Sequence, residues 1–447
     1  MFPKLMYPVS KNMAGMSDVL SSGEEDPSEL NVDRISSLPW NVLDIILGEV
    51  SIIEAARTSV LAKDWQYKWL SISNLHVDYG ATASALNKGN IEWEKFASII
   101  NRFLLHHSCT IRKFYLSAFC KPHYPDMYPW IQYLSTQEVE VLFLQELGPQ
   151  QLFEVPSNLF SFKKLRRLYL GNCVLKLPSN FGGLISLREI SFSNVLISDD
   201  DLHRMLRAYP LVEKLVLSRM PGIQHLRIYG PRLTMLVIDT NIEDIVIEEG
   251  AACLASVCIR NALCNDRMIR NWQSVIRCLH GLKALESLVL FGDFIKVWAD
   301  DYNLETFPLR NGTMTHLSLR DVALDAVEVL KICLSLLRTC PNVKSFNITI
   351  KAAKGQKLFT QFLKENHGKF SFPVLNSISV TCPSGNSMEC TMTLIEFLCA
   401  NSPNIKVVSV TKGGKRDMNT SRVSRMLSRL RKICPDASVK YTYNSLL

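Results

Sequence analysis

No stretch of eighteen consecutive apolar residues occurs in this 447-residue chain, so a membrane-spanning helix is not expected. The opening MFPKLMYPVSKNMAGMSDVL has no continuous apolar core of the kind a secretory signal carries. Thirteen cysteines are present, yet no two stand as C-x2-C, which argues against a zinc module. Their odd number and the missing signal predict reduced thiols, in the cytoplasm or nucleus. The motifs G-x-S-x-G, H-E-x-x-H, G-x-x-x-x-G-K-[ST] and G-x-G-x-x-G are all absent, so nothing points to a familiar hydrolase, zincin, phosphate loop or dinucleotide fold. Charge of either sign is sparse: 21% of residues are charged and the net charge is +8. Many basic residues gather at the end, from Lys412 to Lys432. Without interleaved aromatics they read as a solvated helix face, and nucleic-acid binding is not expected.

Apolar residues are plentiful, at 47%, enough for a sizeable core and for two or three domains or one elongated repeat array. Residues 1–33, with Ser21-Ser-Gly-Glu-Glu-Asp-Pro-Ser-Glu29, have the acidic, small, proline-bearing composition of a disordered leader. The stretch LPWNVLDIILGEVSIIEAARTSVLAKDWQYKW, residues 38–69, is the reverse. Leu38-Pro39 suits a first helical turn. Val42, Leu43, Ile46, Leu47 and Val50 fall on one stripe at helical spacing. A second apolar helix is predicted from Ile52 to Leu61, and Trp65 and Trp69 stand at i, i+4, the spacing that puts both indoles on one helix face. About forty residues cannot bury that much apolar surface alone. A partner surface is required.

These residues resemble an F-box, the adaptor-docking motif of SCF-type ubiquitin ligases, from Ile35 to about Asn74. Leu38-Pro39, Leu43, Ile46-Leu47, Ala55-Ala-Arg-Thr-Ser-Val-Leu61 and Lys63-x-Trp65-x3-Trp69 carry the likeness, and ARTSVLAKDWQYKW is similar to the F-box proteins that plants hold in large numbers. The chain departs from that pattern at Glu49, usually apolar, at Ser51, usually proline, and at Asp64, usually basic. The resemblance implies docking on an SKP-type adaptor, itself bound to a cullin and a RING protein. The expected contact residues are Leu38, Pro39, Leu43, Ile46, Leu47, Ser59, Leu61, Trp65 and Trp69, with internal packing as the other role open to some of them, Trp65 above all.

Tyr79 to Asn90 reads as a connector, and Ile91 to His106 as a helix with Trp93, Phe96, Ile99, Ile100, Phe103 and Leu104 at helical spacing. Past residue 110 one triplet recurs: apolar, two residues, apolar, one residue, apolar. It begins at Ile111, Val139, Leu165, Leu187, Val212, Ile223, Leu233, Ile242, Leu254, Leu285, Met314, Val343, Leu375 and Ile405. The last two apolar positions of a triplet, two apart, point the same way on a strand and enter a shared core. The pattern resembles the L-x-x-L-x-L signature of leucine-rich repeats, over roughly residues 105 to 410. Intervals of 22–28 residues up to 212, and of 29–32 after 254, leave room for helical or extended returns. Between 212 and 254 they fall to 9–12, which predicts returns through loops.

Phe372 to Tyr441 is similar to the FBD region that ends many plant F-box/leucine-rich-repeat proteins, through Leu375-Asn-Ser-Ile378, Leu394 to Asn404 and Cys434 to Tyr441. A terminal helix, Arg422 to Ile433, is expected to close the array. The expected fold class is therefore α/β, a three-helix F-box followed by an irregular leucine-rich-repeat solenoid. The expected domains are the leader at 1–33, the F-box at 34–80, the solenoid at 81–370 and an FBD-like cap at 371–447.

No catalytic residue, metal site or cofactor is expected. His106-His107 with Cys109 reads as polar residues at a helix end, Lys412-Gly-Gly-Lys415 as a hairpin turn, and Asp199-Asp-Asp201 as an acidic helix N-terminus favoured by the macrodipole. Function is then expected on two surfaces, the F-box stripe and the outward side chains of the strands. Arg167, Tyr169, His225, Arg227 and Tyr229 are the candidate contacts for a protein substrate of unknown identity, being of types enriched at binding hot spots. The expected role is a non-catalytic substrate receptor of the ligase. The alternative is a scaffold that delivers nothing for degradation.

Overall fold

The computed structural model describes residues 35–86, 89, 91–118, 127–146, 152–248, 251–260, 272–300, 310–324, 326–352, 356–366, 368–382, 388–413 and 420–444. The leader lies outside the described residues, as do Gly414 and Lys415 of the expected turn, whose first two residues belong to a strand. The chain divides into two compact units, residues 1–43 and 44–447. In the first, a turn closes with Leu38 N–H donating to Ile35 O at 3.1 Å, and the Pro39 carbonyl receives Val42 and Leu43. Ile35, Pro39 and Trp40 are exposed, Leu38 half-buried and Leu43 buried.

Helix α1 runs Trp40–Leu47 and stops at Gly48, where a Cβ would come within 2.8 Å of Asp44 O and 3.0 Å of Asn74 Cβ. The Asp44 carboxylate reaches the same crossing, accepting Ser73 N–H and Ser73 Oγ–H, both at 2.7 Å. Helix α2, Ile52–Arg57, starts at a capping box: Ser51 Oγ accepts Glu54 N–H at 3.3 Å while Glu54 Oε2 accepts Ser51 N–H at 3.1 Å. Ser51, one of the departures from the F-box pattern, thus satisfies an orphan donor of the first turn through its side chain. The helix predicted to Leu61 ends sooner, continuing as a 3-10 turn at Thr58–Val60. Two more such turns, Lys63–Trp65 and Lys68–Ser71, hold the tryptophans. The indoles are therefore not on one helix face.

Seventeen strands follow among the described residues, β1 Asn74–Asp78, β2 Lys113–Ala118, β3 Val141–Glu146, β4 Phe153–Glu154, β5 Arg167–Val174, β6 Glu189–Leu196, β7 Lys214–Ser218, β8 His225–Ile228, β9 Met235–Asp239, β10 Asp244–Ile247, β11 Ser256–Arg260, β12 Ser287–Phe291, β13 His316–Ala323, β14 Ser345–Ala352, β15 Ser377–Cys382, β16 Val407–Gly413 and β17 Ser438–Asn444. Between them lie α3 Tyr79–Ala85, α4 Trp93–His106, α5 Met127–Thr136, α6 Asp199–Ala208, α7 Trp272–Gly281, α8 Gly292–Asp300, α9 Val327–Thr339, α10 Gln356–Glu365, α11 Met388–Ala400 and α12 Thr420–Ile433. Fifteen strands form one parallel sheet in chain order, with β4 beside β5 and with β8 and β10 left out. All its pairings are parallel, so each connection crosses over. The result is a mixed α/β fold.

Every recurring triplet lands on a strand from β2 to β16, and all of its apolar positions are buried except Ile247, which is half-buried. Register aligns them in rows: Leu142, Leu168, Ile190, Leu215, Leu236 and Val257 are successive partners, as are Leu144, Leu170, Phe192, Leu217, Ile238 and Ile259. Helices α7 to α12 pack each on the next behind the sheet, and Trp298 of α8 is fully buried. Residues two beyond the second row, Asn172, Asn194, Arg219 and Asp321, take φ of +51 to +56°. Asparagine and aspartate tolerate this conformation best, and Asn194 Nδ2 donates to Asn172 Oδ1 at 2.7 Å.

Three expectations need correction. The connector at Tyr79–Asn90 contains α3, capped by Asp78 Oδ1 accepting Ala81 N–H at 2.6 Å. The short intervals between 212 and 254 do not return through loops. There β7, β9 and β11 pair directly in the main sheet, while β8 and β10 pair in a separate two-stranded sheet. Strand β8 packs beside α6 and β10 beside α7, so the pair continues the helical layer behind the sheet. At the C-terminus α12 does not end the array, because β17 follows and pairs with β16 over seven residues.

Candidate functional site

The F-box-like segment separates into buried and exposed apolar groups. Leu47 of α1 and Trp65 are buried, as Leu43 is, and contribute packing rather than surface. Lys68 Nζ lies 4.7 Å from the Trp65 ring centre. Trp69 is half-buried, its ring 5.5 Å from Phe103 of α4 and its Nε1–H donated to Gln66 O. Ser59 is half-buried. Ile46 and Leu61 are exposed, and with them Ile45, Val60 and Tyr67, which are not among the expected contacts. Val60 is 85% and Leu61 69% exposed, a large apolar area for one short turn, and such area marks interaction sites.

The open face of the main sheet carries a second constellation. His76 of β1 stacks on Tyr115 of β2 at 4.2 Å; Tyr115 stands 6.2 Å from Phe143 of β3, and Phe143 5.9 Å from Tyr169 of β5. Register makes these four consecutive partners across the strands. Burial, then the neighbouring Glu189 charge, pushes the Tyr169 hydroxyl far up, so it stays a neutral donor. Arg167 is exposed one pleat away, paired in register with Glu189, which binds Lys214 of β7. The triplet Ile72-Leu75-Val77 that founds this end is buried like the others. It had the signal, but sat inside the F-box likeness.

Further along, Asp239 of β9 is buried on the same face. Ser218 Oγ donates to its Oδ2 at 3.2 Å, and Arg260 Nε lies 3.7 Å from its Oδ1. Burial raises its pKa, against the opposing Arg260 charge. Among the described residues no group of three or more His, Cys, Asp or Glu is placed to hold a metal ion. Burial holds the thiol of Cys333 up at about 12 and that of Cys258 up at about 11, so neither is a thiolate nucleophile at neutral pH.

His225, Arg227 and Tyr229 do not join Arg167 and Tyr169. They lie on or beside β8, in the back layer, and are engaged with α6 and β10. Asp199, in the first turn of α6, accepts Gln224 N–H and His225 N–H at 3.0 Å; Asp200 accepts Arg227 Nη2–H at 2.8 Å. Arg207 lies 4.8 Å from the Tyr229 ring centre and binds Glu248. His225 Nδ1 is 2.7 Å from Asp244 Oδ1, and the hydrogen bond and charge of that aspartate raise the imidazole pKa above 6.5. The sign follows: the pairing stabilises the fold fully below the unfolded histidine value and fades as pH climbs through the raised one. In an NMR titration the His225 ring is expected to titrate above 6.5, and Asp244→Asn to bring it back toward that value. An unmoved titration in the variant contradicts the assignment.

Residues 127–348 match the family described as FBD-associated F-box protein At5g56370, LRR repeats. The chain is 28% identical over 397 residues to the F-box/FBD/LRR-repeat protein At1g13570 of Arabidopsis thaliana, covering 86% of this chain and 94% of that one. It is 27% identical over 289 residues to the F-box/LRR-repeat protein At3g26922 of the same plant, across 58% of this chain and 92% of the relative. With F-box/LRR-repeat protein 13, also from Arabidopsis thaliana, it shares 24% identity over 429 residues, 85% and 89% of the two chains. No described helix is long and apolar enough to cross a membrane. A recurring strand triplet, a parallel sheet in chain order and similarity along most of the length agree: this chain is a relative of the plant F-box/FBD/LRR-repeat proteins.

Proposed function

We propose that the chain is the substrate-recognition subunit of an SCF-type E3 ubiquitin ligase, working in the cytoplasm or nucleus. Residues 34–80 serve as its F-box, a compact helical adaptor-docking module. Residues 81–370 serve as a leucine-rich-repeat solenoid, and 371–447 as an FBD-like cap. The observation that carries this reading is the exposure of Ile45, Ile46, Val60 and Leu61 within the one segment that resembles an F-box. Those side chains, with Leu38, Pro39, Ser59 and Trp69 around them in sequence, meet an SKP-type adaptor, which brings the cullin and RING subunits. Leu43, Leu47 and Trp65 support the docking surface from inside.

A protein substrate binds the open strand face. Its aromatic row His76, Tyr115, Phe143 and Tyr169, with Arg167 beside it, offers both apolar contact and hydrogen bonding. His225, Arg227 and Tyr229, engaged in the back layer, are the weaker contact candidates. The contribution to catalysis is positional. A lysine held near the charged conjugating enzyme reacts at a raised effective concentration, and the reactive cysteine belongs to another subunit.

The test is ubiquitin transfer to a partner captured by the full-length chain in a reconstituted ligase. Transfer is expected with the parent chain and lost with Tyr115→Ala, Phe143→Ala on the open face while adaptor binding persists. Adaptor binding without transfer to any captured partner supports the scaffold instead.

A further inference from the structure

Two neighbouring lines of side chains on the open face differ in kind. The line His76, Tyr115, Phe143 and Tyr169 is aromatic, and every ring in it is half-buried, so part of each stays open. Two residues earlier on the same strands, and so on the same face, stand Asn74, Lys113, Val141 and Arg167. Lys113 is half-buried and Arg167 exposed. The cations around them are tied: Lys164 to Glu138, Arg166 to Glu140, Arg188 to Glu213 and Lys214 to Glu189. Glu189 is the register partner of Arg167, and Lys214 has taken it. Among the described residues, Lys113 and Arg167 have no carboxylate within ion-pair distance. An aromatic line with unpaired cations along one flank fits a segment that is apolar beneath and acidic on one side.

The spacing selects the backbone of that segment. Neighbouring strands lie about 4.8 Å apart, so the backbone positions of Lys113 on β2 and Arg167 on β5, with β3 between, are about 9.6 Å apart, as are those of Tyr115 and Tyr169. A fully extended segment crossing the strands repeats its side-chain direction every two residues, about 6.6 Å. That period misses the two-strand step. A polyproline II segment repeats every three residues, about 9.3 Å, and matches it. Its threefold geometry also sends one line of side chains down onto the rings and another toward one flank, whereas twofold alternation sends the second line away from the sheet. Strands β2, β3 and β5 are interior, each with both neighbours in place, so a segment finds no free edge to pair with there. A polyproline II backbone needs none, because its own polar groups stay solvated.

We propose that this part of the open face binds an acidic, proline-bearing segment of the substrate in the polyproline II conformation. Carboxylates one turn apart meet Lys113 and Arg167, and prolines one turn apart lie over Tyr115 and Tyr169, straddling Phe143. The site belongs to the substrate surface proposed above and depends on that reading; what is new is the chemistry of the segment it takes.

The probe is a fluorescein-labelled peptide of three Glu-Pro-Pro repeats, titrated by anisotropy into the full-length chain, with Lys-Pro-Pro and Glu-Gly-Gly repeats of equal length as controls. The Glu-Pro-Pro peptide is expected to bind and the Lys-Pro-Pro peptide not to. The Glu-Gly-Gly peptide keeps the charge but must lose freedom that proline has already removed, and is expected to bind at least about tenfold more weakly. Lys113→Gln with Arg167→Gln is expected to weaken binding of the Glu-Pro-Pro peptide about tenfold and to flatten its salt dependence, with the circular dichroism spectrum unchanged. Either control binding as well as the Glu-Pro-Pro peptide overturns the proposal, as does no binding at about 1 mM peptide in low salt, or an unchanged affinity in the double variant. Failure here is distinct from failure of the receptor reading. If no peptide binds, yet Tyr115→Ala, Phe143→Ala still abolishes ubiquitin transfer to a captured partner, the proposal falls and the open face takes a substrate of other chemistry. If the Glu-Pro-Pro peptide binds through Lys113 and Arg167 and no partner is modified, the site stands and the chain is a scaffold.

Discussion

Replacing Ile46 and Leu61 together by aspartate is expected to abolish capture of an SKP-type adaptor while the far-UV circular dichroism spectrum stays that of the parent chain. Both side chains are exposed, at 46% and 69%, so the folded chain loses little when they change. The complex loses much more. Each aliphatic side chain covered by a partner is worth about 1.5–3 kcal/mol, and each aspartate adds the cost of a carboxylate placed against an apolar surface. Even the transfer terms alone amount to a loss of two to four orders of magnitude in affinity. Leu43→Asp does not make this distinction. Leu43 is 2% exposed, so an acid there attacks the packing, and lost binding would say nothing about docking. Retained capture by the Ile46, Leu61 variant removes the adaptor assignment.

The second large effect is on stability. Trp65→Ala is expected to cost about 3–5 kcal/mol, the usual range for deleting a buried indole, read as a lowered midpoint in urea unfolding with little change in slope. Trp65 is buried between the short turns that follow α2, and Lys68 lies over its ring. Tyr67→Ala, two residues away and 66% exposed, is the matched control, expected within about 0.5 kcal/mol of the parent. If the two variants unfold alike, the tryptophan is not the support the structure makes it.

The strands were legible in the sequence because a two-residue alternation has one physical reading: the positions two apart share a face and must be covered. Fourteen triplets found fourteen strands on that ground. The pattern is blind to side, however. Ile223-Leu226-Ile228 and Ile242-Ile245-Ile247 bury the same face of a strand as their neighbours do, but they approach the core from behind, as β8 and β10. The intervals carried the missing information. The paired triplets of β7, β9 and β11 stand 21 residues apart, as Leu215, Leu236 and Val257 do, close to the other repeats, so the intervening triplets belong to return legs. His225, Arg227 and Tyr229 followed β8 out of the open face for that reason.

In the F-box-like segment the helical stripe is wider than the buried surface. Val42, Leu43, Ile46, Leu47 and Val50 share a stripe, yet only Leu43 and Leu47, one turn apart, are buried, while Ile45 and Ile46 look outward. Spacing identifies an apolar face; it does not say which edge of that face the chain keeps for itself. Trp65 and Trp69 parted because the residues between them form separate 3-10 turns, and a rule about i, i+4 neighbours holds only on a continuous helix.

Amide hydrogen exchange of the full-length chain, with and without a purified SKP-type adaptor, tests the central claim most directly. Added protection is expected over residues 40–47 and 58–67, around Ile45, Ile46, Val60 and Leu61, with the strands from β5 onward unchanged. Protection elsewhere, or none at adaptor concentrations that saturate a known F-box, contradicts it.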